Sequence, residues 1–383
     1  MTLPKPLYFA TDADIYDQLE PAAKRFNKKH LLELALRRGI ILSPSDERSD
    51  IIQFISMLPF SHAQLEEICQ QTETVGRAQR TSSIRVTQDI DEEKVQDAIS
   101  SLKQSRSNKD EQLSVVRKED HFEITVEYTE FDHRKSSLRQ RSVNQISIQV
   151  ETSDEGELTV RHTANKKGQE IAKVFLTKLG NDADTPVPTA PISLAGIVDR
   201  SLRTSFWVKL IRETDELAPI SVTKAGVCRE MTSSLIEDTP CDDEDQADDD
   251  TDNLETKLVT GLINRAVFEG EEVLESTEFK RTESSFFVYK ASWLAIGATG
   301  DKYEIEAEFR NPASASQFEY IFRNVFRKKA SGGYYKTPDR LLPAEQRQLS
   351  QILESSAHAI VTQMAESVFI PIPNITGEDS QEA

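Results

Sequence analysis

The sequence predicts an α+β fold in which a small N-terminal helical module is followed by two antiparallel-sheet-plus-helix layers. Three observations carry this reading. Residues 1–73 hold apolar side chains at helical spacing, from His121 the apolar period changes to two, and from Phe286 a run of strands closed by a helix recurs. At 383 residues, 37% hydrophobic and 29% charged, the chain is long enough to bury two or three separate cores and has a globular composition.

In the module, Leu31, Leu34 and Ala35, with Leu32 and Leu36 beside them, predict a helix over about 28–38, and Gly39 supplies its left-handed stop. Ile40-Ile41-Leu42 reads as extended. Ser43 offers an N-cap with Pro44 at the first helical position and Asp46 and Glu47 in the first turn, so a second helix is expected from there, with Ile51, Ile52, Phe54, Ile55 and Leu58 on its apolar side and Pro59 closing it. A third helix is expected from the capping box Ser61-His-Ala-Gln64, with Leu65, Ile68 and Cys69 inward.

Residues 74–118 are polar and read as a linker region with one helix at 91–103. A first α+β domain is expected over 119–212. Phe122, Ile124, Val126 and Tyr128, then Ile146, Ile148 and Val150, then Leu158 and Val160 alternate as three strands; Asn165 caps a helix through Ile171, Val174, Phe175 and Leu179, and a further helix covers most of 193–212. Residues 237–255 read as an acidic disordered insert. A second α+β domain over 256–376 has strands around Phe286 to Ile296, Tyr303 to Phe309 and Phe318 to Phe326, then a helix from Pro343 with Leu349, Ile352, Leu353, Ile360 and Met364 as its apolar stripe. The recurring order admits a duplication or two unrelated layers meeting one packing demand.

Cys69, Cys228 and Cys241 are an odd number at wide spacing, which builds neither a disulfide framework nor a Cys-x-x-Cys knuckle and predicts a reducing, cytoplasmic setting. The N-terminal residues lack the apolar stretch of an export signal, and the longest dense apolar run, 51–58, is too short to cross a bilayer, so no membrane partner is expected. The formal charge is −19, yet 237–255 alone holds eleven Asp or Glu and no Lys or Arg; the remainder stands at −8. The distribution of charge therefore says more about partners than the total.

The most electropositive helical stretch runs from Lys24 through Arg25, Lys28, Lys29, Arg37 and Arg38 against a single Glu33. Leu31-Leu-Glu-Leu-Ala-Leu-Arg-Arg-Gly39, an extended linker, then Arg48-Ser-Asp-Ile-Ile-Gln-Phe-Ile55 resembles the SAP family of helix, extended loop, helix modules, over about residues 26–60. The resemblance implies DNA binding in which the helix ends around the loop approach the duplex backbone. It thereby makes Lys28, Lys29, Arg37, Arg38 and Arg48, set around the Gly39 turn, the expected phosphate contacts. The loop Ile40 to Ser45 is not the short Gly/Ser-rich turn of the family, and Arg48 stands where a Lys-rich helix start is usual. Independently of the resemblance, cations near helix ends neutralise phosphates and release counterions, which gives affinity without base preference. The same charges also fit the solvated face of a packed helix.

A second basic cluster, His133-Arg-Lys-Ser-Ser-Leu-Arg-Gln-Arg141, falls between two predicted strands, so Arg134, Lys135, Arg139 and Arg141 on a hairpin tip are candidate phosphate contacts, with Arg161, His162, Lys166 and Lys167 as an extension. Catalytic motifs are absent: there is no P-loop, dinucleotide fingerprint, His-Glu-x-x-His or Gly-x-Ser-x-Gly, and the six histidines are dispersed. No cofactor and no metal are expected. A Mg²⁺-dependent nuclease is the enzymatic alternative, drawing on Glu278-Phe-Lys280 and on the three like-facing carboxylates of Glu304-Ile-Glu306-Ala-Glu308. The acidic run invites a reading as a decoy for the basic module. The sequence thus predicts a non-enzymatic nucleic-acid-binding or adaptor protein with DNA and a protein as partners, in the setting of bacterial genome maintenance or defence against foreign DNA; a protein scaffold without DNA binding is the other alternative.

Overall fold

In the computed structural model, the residues described are 10–23, 25–72, 79–106, 111–118, 121–135, 138, 140–152, 157–180, 187–229, 265–270 and 285–368. The elements in chain order are helices α1 (Asp12–Leu19), α2 (Lys28–Leu36), α3 (Arg48–Ser56) and α4 (His62–Thr72), strand β1 (Thr81–Val86), helix α5 (Glu92–Arg106), and strands β2 (Glu111–Arg117), β3 (His121–Phe131), β4 (Arg141–Thr152) and β5 (Leu158–Thr163). Helix α6 (Lys166–Leu179), strand β6 (Thr189–Pro191) and helix α7 (Arg200–Arg212) follow. Strands β7 (Ala218–Arg229), β8 (Arg265–Glu269), β9 (Phe286–Ile296), β10 (Lys302–Asn311) and β11 (Ser316–Phe326) then lead to helix α8 (Pro343–Val368). The fold is α+β, as the change of apolar period predicts.

The chain forms two compact units, each discontinuous in sequence: unit 1 takes Met1–Gln79, Asp89–Gly156 and Asn165–Val187, and unit 2 takes Arg80–Gln88, Glu157–Ala164 and Pro188–Ala383. They cut across the boundaries read from the sequence. The expected linker at 74–118 needs the largest correction, because β1 and β2 accompany the one helix anticipated there, α5. Strand β1 escapes an apolar reading since Ser82 and Ser83 are among its buried residues; Ser82 Oγ donates to the Phe318 carbonyl at 2.9 Å instead.

Unit 1 begins with four helices around one core that includes Leu19, Phe26, Leu31, Ile51, Ile52 and Ile55. Thr11 starts α1 through a capping box, its hydroxyl accepting from the Asp14 amide and its own amide donating to the Asp14 carboxylate. The Asn27 side chain caps α2 by accepting from the His30 amide at 3.0 Å. The helix stops where Gly39 takes φ +76°. There the Ile40 amide donates to the Ala35 carbonyl and the Gly39 amide to that of Leu36, the two bonds of a Schellman stop. The next helix does not begin at Ser43: the Ser45 amide donates to Ser43 Oγ at 3.2 Å and the Asp46 amide to the Ser43 carbonyl, so this stretch turns. Helix α3 opens at Arg48 with Glu47 as N-cap and no side-chain cap bond. The Ser61 box of α4 forms in both directions, Gln64 amide to Ser61 Oγ and Ser61 amide to Gln64 Oε1.

The rest of unit 1 is the antiparallel meander β2-β3-β4 with α5 and α6 packed on each other and against it. Pairs such as Ile124 with Ile148 and Val126 with Ile146 are buried on its inner face. Arg106, buried where α5 ends, donates to Glu111 of β2 at 2.9 Å and Glu170 of α6 at 2.8 Å.

In unit 2 the strands pair in the order β5-β1-β11-β10-β9-β7-β8, with β6 also against β1. Helices α7 and α8 lie over one face: Phe206 and Trp207 of α7 meet Phe309 and Phe318 with ring centroids 5.5 to 6.2 Å apart. The helix expected over most of 193–212 is α7, which starts at Arg200, where Asp199 accepts from the Ser201 and Leu202 amides. Beneath α8, Arg161 of β5 donates to Glu354 at 2.7 and 2.8 Å, and the Tyr320 hydroxyl donates to the other carboxylate oxygen at 2.5 Å. All three are buried. The order helix, antiparallel strands, helix occurs twice along the chain, from α5 to α6 and from α7 to α8. Among the described residues no helix is long and apolar enough to cross a membrane.

Candidate nucleic-acid interface

Lys28 and Lys29 open α2 directly after its Asn27 cap, and its first turn contains no acidic residue. Lys29 is exposed and Lys28 half-buried. Cations at the positive end of a helix dipole are unfavourable in isolation, and an anion placed there is stabilised both by the exposed amides and by the ammonium groups. Neither lysine has an ion pair among the described residues.

Arg37 and Arg38 sit at the other end of α2. Arg37 is 72% exposed at its side chain and lies 3.7 Å from Glu67, a surface pair that contributes little and leaves the guanidinium free to exchange partners. Arg38 is held in place: its Nη2 donates to Gln64 Oε1 at 2.7 Å and its guanidinium stacks 3.9 Å from the Phe60 ring centroid. Partial burial lowers its pKa.

Arg48 has a different task from the one expected of it. Its Nε donates to the Phe26 carbonyl at 3.2 Å and its Nη2 to the carbonyls of Leu19 and Glu20 at 2.8 and 2.9 Å, while Nη1 lies 3.4 Å from the Glu20 carboxylate. Leu19 and Glu20 end α1, so this guanidinium satisfies carbonyls that the helix leaves unpaired. Arg48 is therefore an internal tie between α3 and α1, and it leaves the set of candidate phosphate contacts.

The second basic cluster is a hairpin tip between β3 and β4, as expected. The Asp132 amide donates to the Gln140 carbonyl at 2.8 Å, the Gln140 side chain to the Lys135 carbonyl at 3.1 Å, and the Arg134 amide to Asp132 Oδ1 at 3.0 Å. That last bond, with the Lys135 charge, holds the Asp132 carboxyl below its usual range. Arg134 and Lys135 are exposed. Leu138, from the same tip, packs against the apolar core of the helical module. One aliphatic contact thus ties the second basic cluster to the element that carries the first. Arg139 lies outside the described residues, as does Lys24, and only the backbone of Arg141 is described.

The expected extension of this cluster does not form. Arg161 is buried against Glu354. His162 is also buried; desolvation lowers its pKa, against the opposing effect of its contact with the Thr163 carbonyl. Lys167 lies 2.7 Å from Glu111 and 3.3 Å from Glu170, which leaves only Lys166 exposed.

The carboxylates considered for a nuclease share one face of β10, opposite the helices, and each has a partner. Glu306 receives Arg80 at 2.5 Å and Arg323 at 2.6 Å, with Lys290 at 3.3 Å. Glu308 pairs with Arg80 and Lys290, and Glu304 accepts from Asn324 at 2.6 Å. Burial acts to raise the Glu306 pKa, but the Arg323 hydrogen bond and the charges of Lys290, Arg323 and Arg80 outweigh it and hold the group at about 2. No group of three or more His, Cys, Asp or Glu among the described residues is arranged to hold a metal ion. Glu278, Lys280 and the acidic run 237–255, with the decoy role considered for it, lie outside the described residues.

A third basic stretch, to which the sequence alone assigns no role, is Arg327-Lys-Lys-Ala-Ser-Gly-Gly-Tyr-Tyr-Lys336 in unit 2. Its signal is a pair of lysines before a Gly-Gly turn and two tyrosines and a lysine after it. No protein-family model matches the chain, and no curated protein matches it.

Proposed function

We propose that unit 1 is a nucleic-acid-backbone-binding module, SAP-like in its order of helix, extended loop and helix, and that the protein is a non-enzymatic nucleic-acid-binding or adaptor protein. Lys28, Lys29 and Arg37 on α2 and Arg134 and Lys135 on the hairpin are its phosphate contacts, and Arg38 is a fixed contributor beside them. The observation that supports this most is the seating of Leu138 on the helical core, which makes two clusters about a hundred residues apart in sequence parts of one unit. Backbone contacts of this kind give affinity without base choice. That property suits an accessory subunit in bacterial genome maintenance or defence against foreign DNA, in a cytoplasmic setting.

A second reading, a protein scaffold, draws on exposed apolar side chains of the same module: Leu36, Ile41, Phe54 and Met57 are 60%, 87%, 39% and 58% exposed. Fluorescence anisotropy of a labelled duplex with the full-length protein separates the two. The Lys29→Glu, Arg37→Glu double variant is expected to bind at least ten-fold more weakly at low salt. Undiminished affinity in that variant would remove the nucleic-acid reading and leave the scaffold.

A further inference from the structure

The loop between β11 and α8 is built to present tyrosine and lysine side chains. At its base Arg327 makes a two-pronged pair with Glu345 at 2.6 and 2.8 Å and reaches Asp301 at 3.0 Å, bonds that raise its pKa. Asp301 also accepts from the Lys328 amide at 2.8 Å. The Val325 and Asp339 backbones exchange hydrogen bonds, and the Tyr335 amide donates to the Arg327 carbonyl at 3.1 Å. At the tip, Gly332 and Gly333 take φ +88° and +73°, and the Lys329 amide donates to the Gly333 carbonyl at 2.9 Å. These backbone angles strain any side-chain-bearing residue, so the two glycines make a tight reversal possible. The result is a short finger with a fixed base.

Its side chains have no such anchoring. Lys328, Lys329, Lys336 and Arg340 make no side-chain ion pair among the described residues. Tyr335 is 56% exposed, with the Lys329 ammonium 5.3 Å from its ring centroid, and Lys302 lies 5.2 Å from the ring of Tyr334. An acidic protein segment would use the cations and leave the rings idle. Nucleic acid with unpaired bases uses both, because each base offers a face for stacking while its phosphate meets an ammonium group. A duplex hides those faces within its own stack.

We infer that the finger 327–340 is a single-stranded nucleic-acid contact, with Tyr335 as the stacking platform and Lys328, Lys329 and Lys336 on the phosphates. This goes beyond the role proposed for unit 1 and stands independently of it. The test uses full-length protein carrying Lys29→Glu, Arg37→Glu, Arg134→Glu and Lys135→Glu, which reverses four of the unit 1 cations, and a labelled oligothymidylate of about 16 nucleotides. In that background Tyr335→Ala is expected to weaken binding about ten-fold and Tyr335→Phe to restore it. Lys329→Gln with Lys336→Gln should flatten the salt dependence by roughly 0.7 for each phosphate no longer neutralised. No binding of the oligothymidylate, equal affinity of Tyr335→Ala, or competition by polyglutamate that Tyr335→Ala leaves unchanged would each overturn the assignment, the last in favour of an acidic protein partner. Failure of the unit 1 reading is seen separately, as undiminished duplex binding by the Lys29→Glu, Arg37→Glu protein.

Discussion

Arginines close in sequence do different physical work here, and the difference lies in their partners. Arg37 has one distant surface partner, Arg38 is stacked and hydrogen-bonded, and Arg48 serves three backbone carbonyls. Arg48→Ala removes three hydrogen bonds to backbone carbonyls inside the module and is expected to cost about 2 kcal/mol of stability in denaturant titration while leaving the salt dependence of DNA binding unchanged. Lys29→Glu should do the reverse. A loss of salt dependence in Arg48→Ala would return that residue to the interface. Two titratable groups of unit 2, the half-buried His358 and the buried Glu306, contribute to the response to acid. His358 has its pKa lowered from 6.5 to about 4, first by desolvation and then by the Arg85 charge. The unfolded chain therefore binds the proton first, and stability falls as pH drops from 6.5 towards 4. Glu306, lowered from 4.5 to about 2, contributes stability that is present above 4.5 and lost as pH falls towards 2. Melting curves across pH should have a shallower upper slope in His358→Gln and a shallower lower slope in Glu306→Gln. Unaltered slopes in both variants would count against these assignments.

At the scale of elements, legibility follows how much of an element's burial is apolar and periodic. Strands β3, β4 and β10 alternate in apolar residues and are evident in the sequence, and β11 is evident from its dense apolar run Phe318 to Phe326. Strand β7 is not, because three register shifts against β9, at Pro219/Ser221, Val222/Lys224 and Gly226/Val227, break its period of two. Helix α1 carries a signal that the apolar pattern hides: Thr11-Asp-Ala-Asp14 is the same kind of capping box that locates α4 at Ser61. Of the candidate site, Gly39 and the hairpin position are legible. The internal role of Arg48 is not, since carbonyl partners at Leu19, Glu20 and Phe26 leave no mark in a side-chain pattern. The seating of Leu138 is equally hidden, and it yields a prediction at this scale. Leu138→Ser should release the tip and lower duplex affinity as far as Arg134→Glu with Lys135→Glu does, with the helical circular dichroism retained. Full affinity in Leu138→Ser would show that the hairpin binds independently of the module.

For the whole molecule, charge is arranged against its total. A chain of formal charge −19 gathers cations at α2, at the β3-β4 tip and at the finger after β11, while eleven acidic residues lie in a single run. Other cations are held by carboxylates, as Arg106, Arg161 and Arg80 show. The discontinuous units are not readable from the sequence, because β1 and β5 belong to unit 2 although the segments flanking them belong to unit 1. Local periodicity has no means of assigning a strand to a distant partner. If α2 and the hairpin tip form one phosphate-binding surface in unit 1, the slope of log affinity for duplex DNA against log salt reports their joint contribution. Each double reversal, Lys29→Glu with Arg37→Glu and Arg134→Glu with Lys135→Glu, is predicted to flatten that slope by roughly 2, and their combination by roughly twice as much, at about 0.9 for each phosphate no longer neutralised. A slope that all three proteins share with the unaltered chain would show that these cations do not meet phosphates.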